Sequence, residues 1–277
     1  MDSRPIGIFD SGLGGLTVVR EIMRQLPHEQ TLYFGDTARF PYGPRSAEEL
    51  RGFVFEIIDF LLIYDVKFIV IACNSASAAA LEAAQQFYSI PIIGVIEPGA
   101  RAAVQATRNR RVGVIGTQAT ISSGSYITSM KTIDAGVKAY SLACPELADF
   151  VERDEITGQN VEGAIKWYLD PLMRDGIDSL ILGCTHYPLL SDTIAKVAGD
   201  DITLISSAEE TARELKEFLQ RKDSFREGTA SPEPRFFSSG DEGVFGRLGA
   251  RFLGQEIAHV ERVHLPLKVK VNRAEKG

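Results

Sequence analysis

The chain has 277 residues, 44% of them hydrophobic and 24% charged, which suits a globular protein of two compact units and excludes a disordered or fibrous one. Its 30 lysines and arginines stand against 37 acids, a formal charge of −7 with no dense basic tract, so a nucleic-acid partner is not expected. No apolar run approaches the roughly 20 residues that span a bilayer, and no secretory leader precedes the first strand-like run, so no membrane partner is expected either. In chain order, Ile6 to Phe9 reads as a strand and Leu16 to Leu26 as a helix stopped by Pro27. Thr31 to Phe34 is strand-like. Ser46-Ala47-Glu48-Glu49 has capping-box spacing and opens a helix that runs to Tyr64. Lys67 to Ala72 is a strand, Ser75 to Tyr88 an alanine-rich helix and Pro91 to Ile96 another strand. Such alternation predicts βαβ units and a largely parallel sheet covered by helices.

The pattern then begins again. Arg111 to Thr117 is a strand ending in small polar residues, as Ile6 to Ser11 is, and strands follow at Val137 to Leu142, Ser179 to Leu182 and Ile202 to Ile205. Asp10 precedes Cys73 by nearly the interval at which Thr117 precedes Cys184, so a duplicated half places a cysteine at the same point twice. A capping-box helix from Ser207 to Leu219, a surface loop over 222–234, and strand candidates at Arg235 to Phe237 and Val260 to Leu265 complete the chain. The fold expected is α/β, with two pseudo-symmetric domains, each a largely parallel sheet flanked by helices, and the active site in the cleft between them. Residues 1–97 with 207–266 make the first domain and 98–206 the second, and 267–277 form a mobile tail.

Ligands of parallel α/β sheets sit at the carboxyl ends of the strands, where Asp10, Cys73, Thr117 and Cys184 all fall. A helix starting after each cysteine would offer peptide N–H groups and a positive dipole end, which lowers a thiol pKa toward neutrality. Three cysteines make no disulfide framework and fit a reducing cytoplasm, and Cys144 reads as a buried, inert thiol. Zinc is disfavoured, since C-x-x-C is absent and His28, His186, His259 and His264 are scattered. The missing C-x-x-C also excludes a thioredoxin-like site, and a phosphatase loop would need arginine where Ala79 and Leu190 stand. A Cys–His protease stays open because His186 is two residues from Cys184, but it leaves the second, matching cysteine unexplained. Paired thiols suit proton removal from one face of a carbon and return to the other. The loop Asp10-Ser11-Gly12-Leu13-Gly14-Gly15 breaks the dinucleotide fingerprint, because Thr17 takes the place of the third glycine. Its glycines still allow a tight turn that brings N–H groups up to an anion.

Together these residues resemble the glutamate racemase family of the aspartate/glutamate racemase superfamily over roughly residues 5 to 265. The resemblance rests on Phe9 to Gly15, Gly35-Asp36-Thr37-Ala38-Arg39, Pro41-Tyr42-Gly43, Ala72-Cys73-Asn74 and Gly183-Cys184-Thr185-His186-Tyr187-Pro188. The His after Cys-Thr favours glutamate over aspartate racemases, which carry Glu there. It implies racemisation of glutamate without any cofactor or metal, to supply D-glutamate for peptidoglycan. Cys73 would deprotonate D-glutamate and Cys184 L-glutamate, assisted by Asp10 and His186 respectively, with Glu152 a further acid near the site. Asp10, Ser11, Pro41, Tyr42, Gly43, Asn74, Ser75, Thr117, Thr185 and His186 would hold the small-molecule substrate, and a homodimer is implied. Two departures stand out. Ser75 replaces the family's Thr and keeps the hydroxyl, and Glu146-Leu147-Ala148-Asp149 replaces an x-Phe-Val-Pro stretch after Cys144-Pro145.

Overall fold

Strands that are apolar without alternation belong where helices cover both faces of a sheet. In the computed structural model, which describes residues 1–266, this holds for β1 (Ile6–Asp10), β2 (Thr31–Gly35) and β3 (Phe68–Ile71), each buried at every position. The remaining strands are β4 (Ile92–Gly94), β5 (Arg111–Gly116), β6 (Lys138–Ala143), β7 (Ser179–Gly183), β8 (Thr203–Ser206), β9 (Arg235–Ser238) and β10 (Glu261–Arg262). They form two sheets, ordered β10-β9-β2-β1-β3-β4 and β6-β5-β7-β8, and every pairing is parallel. The run β2-β1-β3-β4 repeats the order of β6-β5-β7-β8, which is the duplication expected from the sequence intervals. Strand β9 returns to the first sheet by pairing with β2, and β10 adds outside it by pairing with β9.

The helices are α1 (Leu16–Gln25), α2 (Ala47–Leu62), α3 (Asn74–Phe87), α4 (Ile96–Ala106), α5 (Gln118–Ser122) and α6 (Ser125–Ile133). They continue with α7 (Pro145–Glu152), α8 (Gln159–Arg174), α9 (Ser191–Ala198), α10 (Ser207–Arg221) and α11 (Glu242–Leu253). Ser46 caps α2, accepting from Glu49 N at 3.2 Å, while the Glu49 carboxylate pairs with Arg45 instead of closing the box. The second capping box does not form. Ser206, not Ser207, precedes α10, and the Ser207 hydroxyl lies 3.0 Å from Tyr126 Oη instead. The last strand is shorter than Val260 to Leu265, and the expected tail over 267–277 lies outside the described residues. No helix among the described residues is long and apolar enough to cross a membrane.

Candidate active site

In both sheets the central strand has a neighbour on either side, and the chain leaves the carboxyl ends of the pair in different directions, which opens a crevice there. Cys73 follows β3 and caps α3, and Cys184 follows β7 directly. Both thiols line a single cavity of about 560 Å³, together with Ser11, Pro41, Tyr42 and Gly43. Asn74, Ser75, Thr117, Thr185 and His186 line it too. The two acids Asp10 and Glu152 stand behind this wall, each bonded to a residue that forms it.

Asp10 is fully buried and its Oδ2 accepts from Gly12 N at 3.2 Å and Gly15 N at 3.0 Å. The glycine loop therefore cradles an anion as the sequence suggested, but the anion is the chain's own carboxylate. Oδ1 is 3.5 Å from the hydroxyl of Thr185, a residue of the other half. A side chain at Gly15 would put a carbon 2.4 Å from Asp10 Cβ, so the residue type follows from the approach. Ser11 Oγ lies 3.7 Å from Cys73 Sγ.

The expectation that a following helix N-terminus lowers the thiol pKa fails at Cys73, and no α-helix begins directly after Cys184. At Cys73, burial first and the Asp10 charge second push the thiol well above its ordinary range, outweighing the N–H groups of Ala76 and Ser11. After Cys184 the chain makes a 3-10 turn, Tyr187–Leu190, with Pro188 in its first turn, before α9 begins. The positive partner there is a side chain. His186 Nδ1 is 3.8 Å from Cys184 Sγ and Nε2 is 2.7 Å from Glu152 Oε1. Burial opposes charge on this imidazole, but the bonds to Cys184 and Glu152 outweigh it and raise its pKa from 6.5 to about 10. Phe40 and Phe252 pack on the ring at centroid distances of 5.7 and 5.4 Å, fixing its plane.

Hydroxyl and amide groups supply further polar contacts in a wall that also carries Phe40, Pro41 and Pro44. Ser75 Oγ and Thr117 Oγ1 are 2.8 Å apart, joining the two halves across the cavity, and Thr117 caps α5 by accepting from Thr120 N at 3.3 Å. Tyr42 donates to Asp36, which is fully buried and also takes Arg39 Nε at 2.7 Å and Ser239 Oγ at 2.7 Å. That network anchors the Pro41-Tyr42-Gly43 turn. Among the described residues, none that lines the cavity is lysine or arginine.

Sequence reasoning missed one wall. Pro145, Ala148 and Asp149 of α7 line the cavity, and Glu152 one turn later reaches His186. Their spacing is that of one helical face, so the 3.6-residue period over 145–152 was the available signal. Tyr126 was missed as well, because its partners come from remote segments, and so was Asp36, whose burial depends on Ser239 from far along the chain as well as on nearby Arg39 and Tyr42.

Two matched α/β halves bring both thiols into one cavity, and the chain belongs to the Asp/Glu/Hydantoin racemase family, whose profile matches residues 6–215. The similar curated proteins are more particular. A glutamate racemase of Exiguobacterium sibiricum is 49% identical over 251 residues, covering 91% of this chain and 93% of that one. One of Parafrankia sp. is 50% identical over 261 residues, 94% of each. Among solved structures, a glutamate racemase isoform of Bacillus anthracis superposes with a TM-score of 0.92 at 48% identity, covering 97% of this chain and 100% of that one. The glutamate racemase of Francisella tularensis in complex with D-glutamate gives 0.89 at 37% identity over 96% and 99%.

Proposed function

We propose that the protein interconverts L- and D-glutamate without a cofactor, with Cys73 and Cys184 as acid/base groups on opposite faces of Cα. The observation that carries this reading is that both thiols line one cavity, each after the corresponding strand of its sheet. The named relatives, all glutamate racemases, support the substrate. In the L-to-D direction Cys184 enters as thiolate and Cys73 as thiol. Cys184 takes the Cα proton, Cys73 gives its own to the other face, and the pair ends in the reverse protonation state, ready for D-glutamate. Burial and the Asp10 charge favour the protonated Cys73 this direction needs, and a protonated His186, held by Glu152, faces Cys184.

The difficult species is the dianion formed when Cα loses its proton beside a carboxylate. Its charge is met by fixed neutral donors: the hydroxyls of Ser75, Thr117 and Thr185 and the N–H groups that open α3. Asp10, Ser11, Pro41, Tyr42, Gly43, Asn74 and His186 complete the substrate's surroundings. On this reading the enzyme is a cytoplasmic homodimer whose product enters peptidoglycan synthesis. Incubation of the purified protein with L-glutamate alone, followed by chiral chromatography, tests it. D-glutamate accumulating to an equal mixture is expected. Failure to invert glutamate sinks the reading, and inversion of aspartate instead moves the assignment to the aspartate racemases.

A further inference from the structure

Tyr126 belongs to none of the motifs, yet it touches the chain beside both cysteines. It lies on α6, buried to 2% exposure. Its Oη accepts from Asn74 Nδ2 at 2.8 Å, and Asn74 directly follows Cys73. That leaves the phenolic proton for Ser207 Oγ, 3.0 Å away at the start of α10. Burial pushes the phenol above its ordinary range, so the proton is retained. On its other edge the ring meets Gly183, which directly precedes Cys184: a side-chain carbon there would sit 3.1 Å from Tyr126 Cε2.

Two glycines and one unmade cap accompany this arrangement. Gly99 lies inside α4, where glycine is unfavourable, and a side-chain carbon there would stand 2.5 Å from Ser207 Oγ. Gly183 leaves room both for the Ile115 carbonyl, 2.7 Å from where a side-chain carbon would sit, and for the ring, and Ser207 points its hydroxyl at Tyr126 where a capping box was expected. Each departs from a local preference in the direction that admits the Tyr126–Ser207 pair.

We propose that Tyr126 is a positioning residue for the two-thiol reaction, orienting the Asn74 amide through its hydroxyl and setting through its ring the separation of the strand ends that carry Cys73 and Cys184. The inference rests on the reading as a two-thiol racemase. It joins three segments, from α3, α6 and α10, that the chain supplies from both halves. A shift of the order of 1 Å at such a site lowers turnover by about 100-fold.

The test is Tyr126→Phe, which keeps the ring, combined with Asn74→Ala in a double-mutant cycle on the full chain. The kcat/KM of Tyr126→Phe should fall about 10- to 100-fold. It should fall equally in both directions, because the enantiomers are equal in energy. The double variant should lose no more than about twofold beyond Asn74→Ala alone, since both changes break one linkage. Losses that multiply, or a Tyr126→Phe enzyme within twofold of wild type, overturn the proposal. Independently of activity, the Asn74 side-chain amide resonance of the 15N-labelled protein, assigned with Asn74→Ala, should move in Tyr126→Phe. An unmoved resonance overturns the hydrogen bond. A wild-type protein that does not racemise glutamate overturns the functional reading itself, and the resonance then still decides whether Tyr126 holds Asn74.

Discussion

Gly14 offers the sharpest test of how the two halves meet. A side-chain carbon there would lie 2.3 Å from Thr185 Oγ1 and 2.6 Å from His186 Nδ1, both beside Cys184. Ordinary contact begins near 3.4 Å, so Gly14→Ala must move these groups by about 1 Å. The loop cannot retreat easily, because Thr17 N donates to Gly14 O at 3.0 Å and Thr17 Oγ1 at 2.8 Å. His186 is gripped in turn by Glu152 and two aromatic rings. A displacement of that size is expected to lower kcat/KM for glutamate about 100-fold, roughly 2.7 kcal/mol of transition-state stabilisation. Overpacking should remove only about 1–3 kcal/mol from folding stability. Gly52→Ala is the control. It occupies an exposed position of α2 with nothing within 4 Å of the added carbon, and should leave activity unchanged while stabilising by about 0.5–1 kcal/mol. Racemisation followed by circular dichroism, alongside denaturant unfolding, measures both. A Gly14→Ala enzyme within threefold of wild type would refute the reasoning.

Cys73→Ala should abolish turnover of both enantiomers while isothermal titration still detects glutamate binding, since one thiol cannot complete the inversion; residual turnover above about 1% contradicts the assignment. In Glu152→Gln one of the groups that raise the His186 pKa is lost, so the alkaline limb of kcat/KM for L-glutamate should move to lower pH. His186 has a folded pKa raised from 6.5 to about 10, so its charge stabilises the fold fully below pH 6.5 and that contribution disappears as pH rises through about 10. Unfolding titrations across that window should show a steeper decline for wild type than for Glu152→Gln, and equal slopes would count against the pairing. Lys67 and Glu29 form a buried pair at 2.7 Å, with Lys67 Nζ also donating to Asp2 O and Ser224 O. Lys67→Met strands the carboxylate and should destabilise by about 3–5 kcal/mol in denaturant melts without altering kcat/KM of the folded enzyme.

What the sequence made readable was local and repeated. A buried strand followed by cysteine and a hydroxyl or amide residue occurs twice at nearly matched intervals, and the strand order around β1 and β5 repeats accordingly. The electrostatics were less readable, because they depend on burial that no window of sequence reports. Cys73 does stand at a helix start, yet desolvation outweighs the dipole. The glycine loop does surround an anion, but Asp10 fills it. Tyr126 carried no signal at all: its partners are 52 and 81 residues away in the chain. The α7 wall lay within reach of helical periodicity, although only Glu152 was picked out there.

The two-thiol chemistry is tested most directly by racemisation of L-glutamate in deuterium oxide, stopped early and analysed for deuterium at Cα of each enantiomer. If Cys184 removes the proton and Cys73 delivers another from solvent to the opposite face, D-glutamate carries deuterium from the first turnovers while recovered L-glutamate remains protonated. Deuterium in both enantiomers at equal levels would mean a single base serving both faces. Protium carried over into the D-glutamate would contradict the account in the same way.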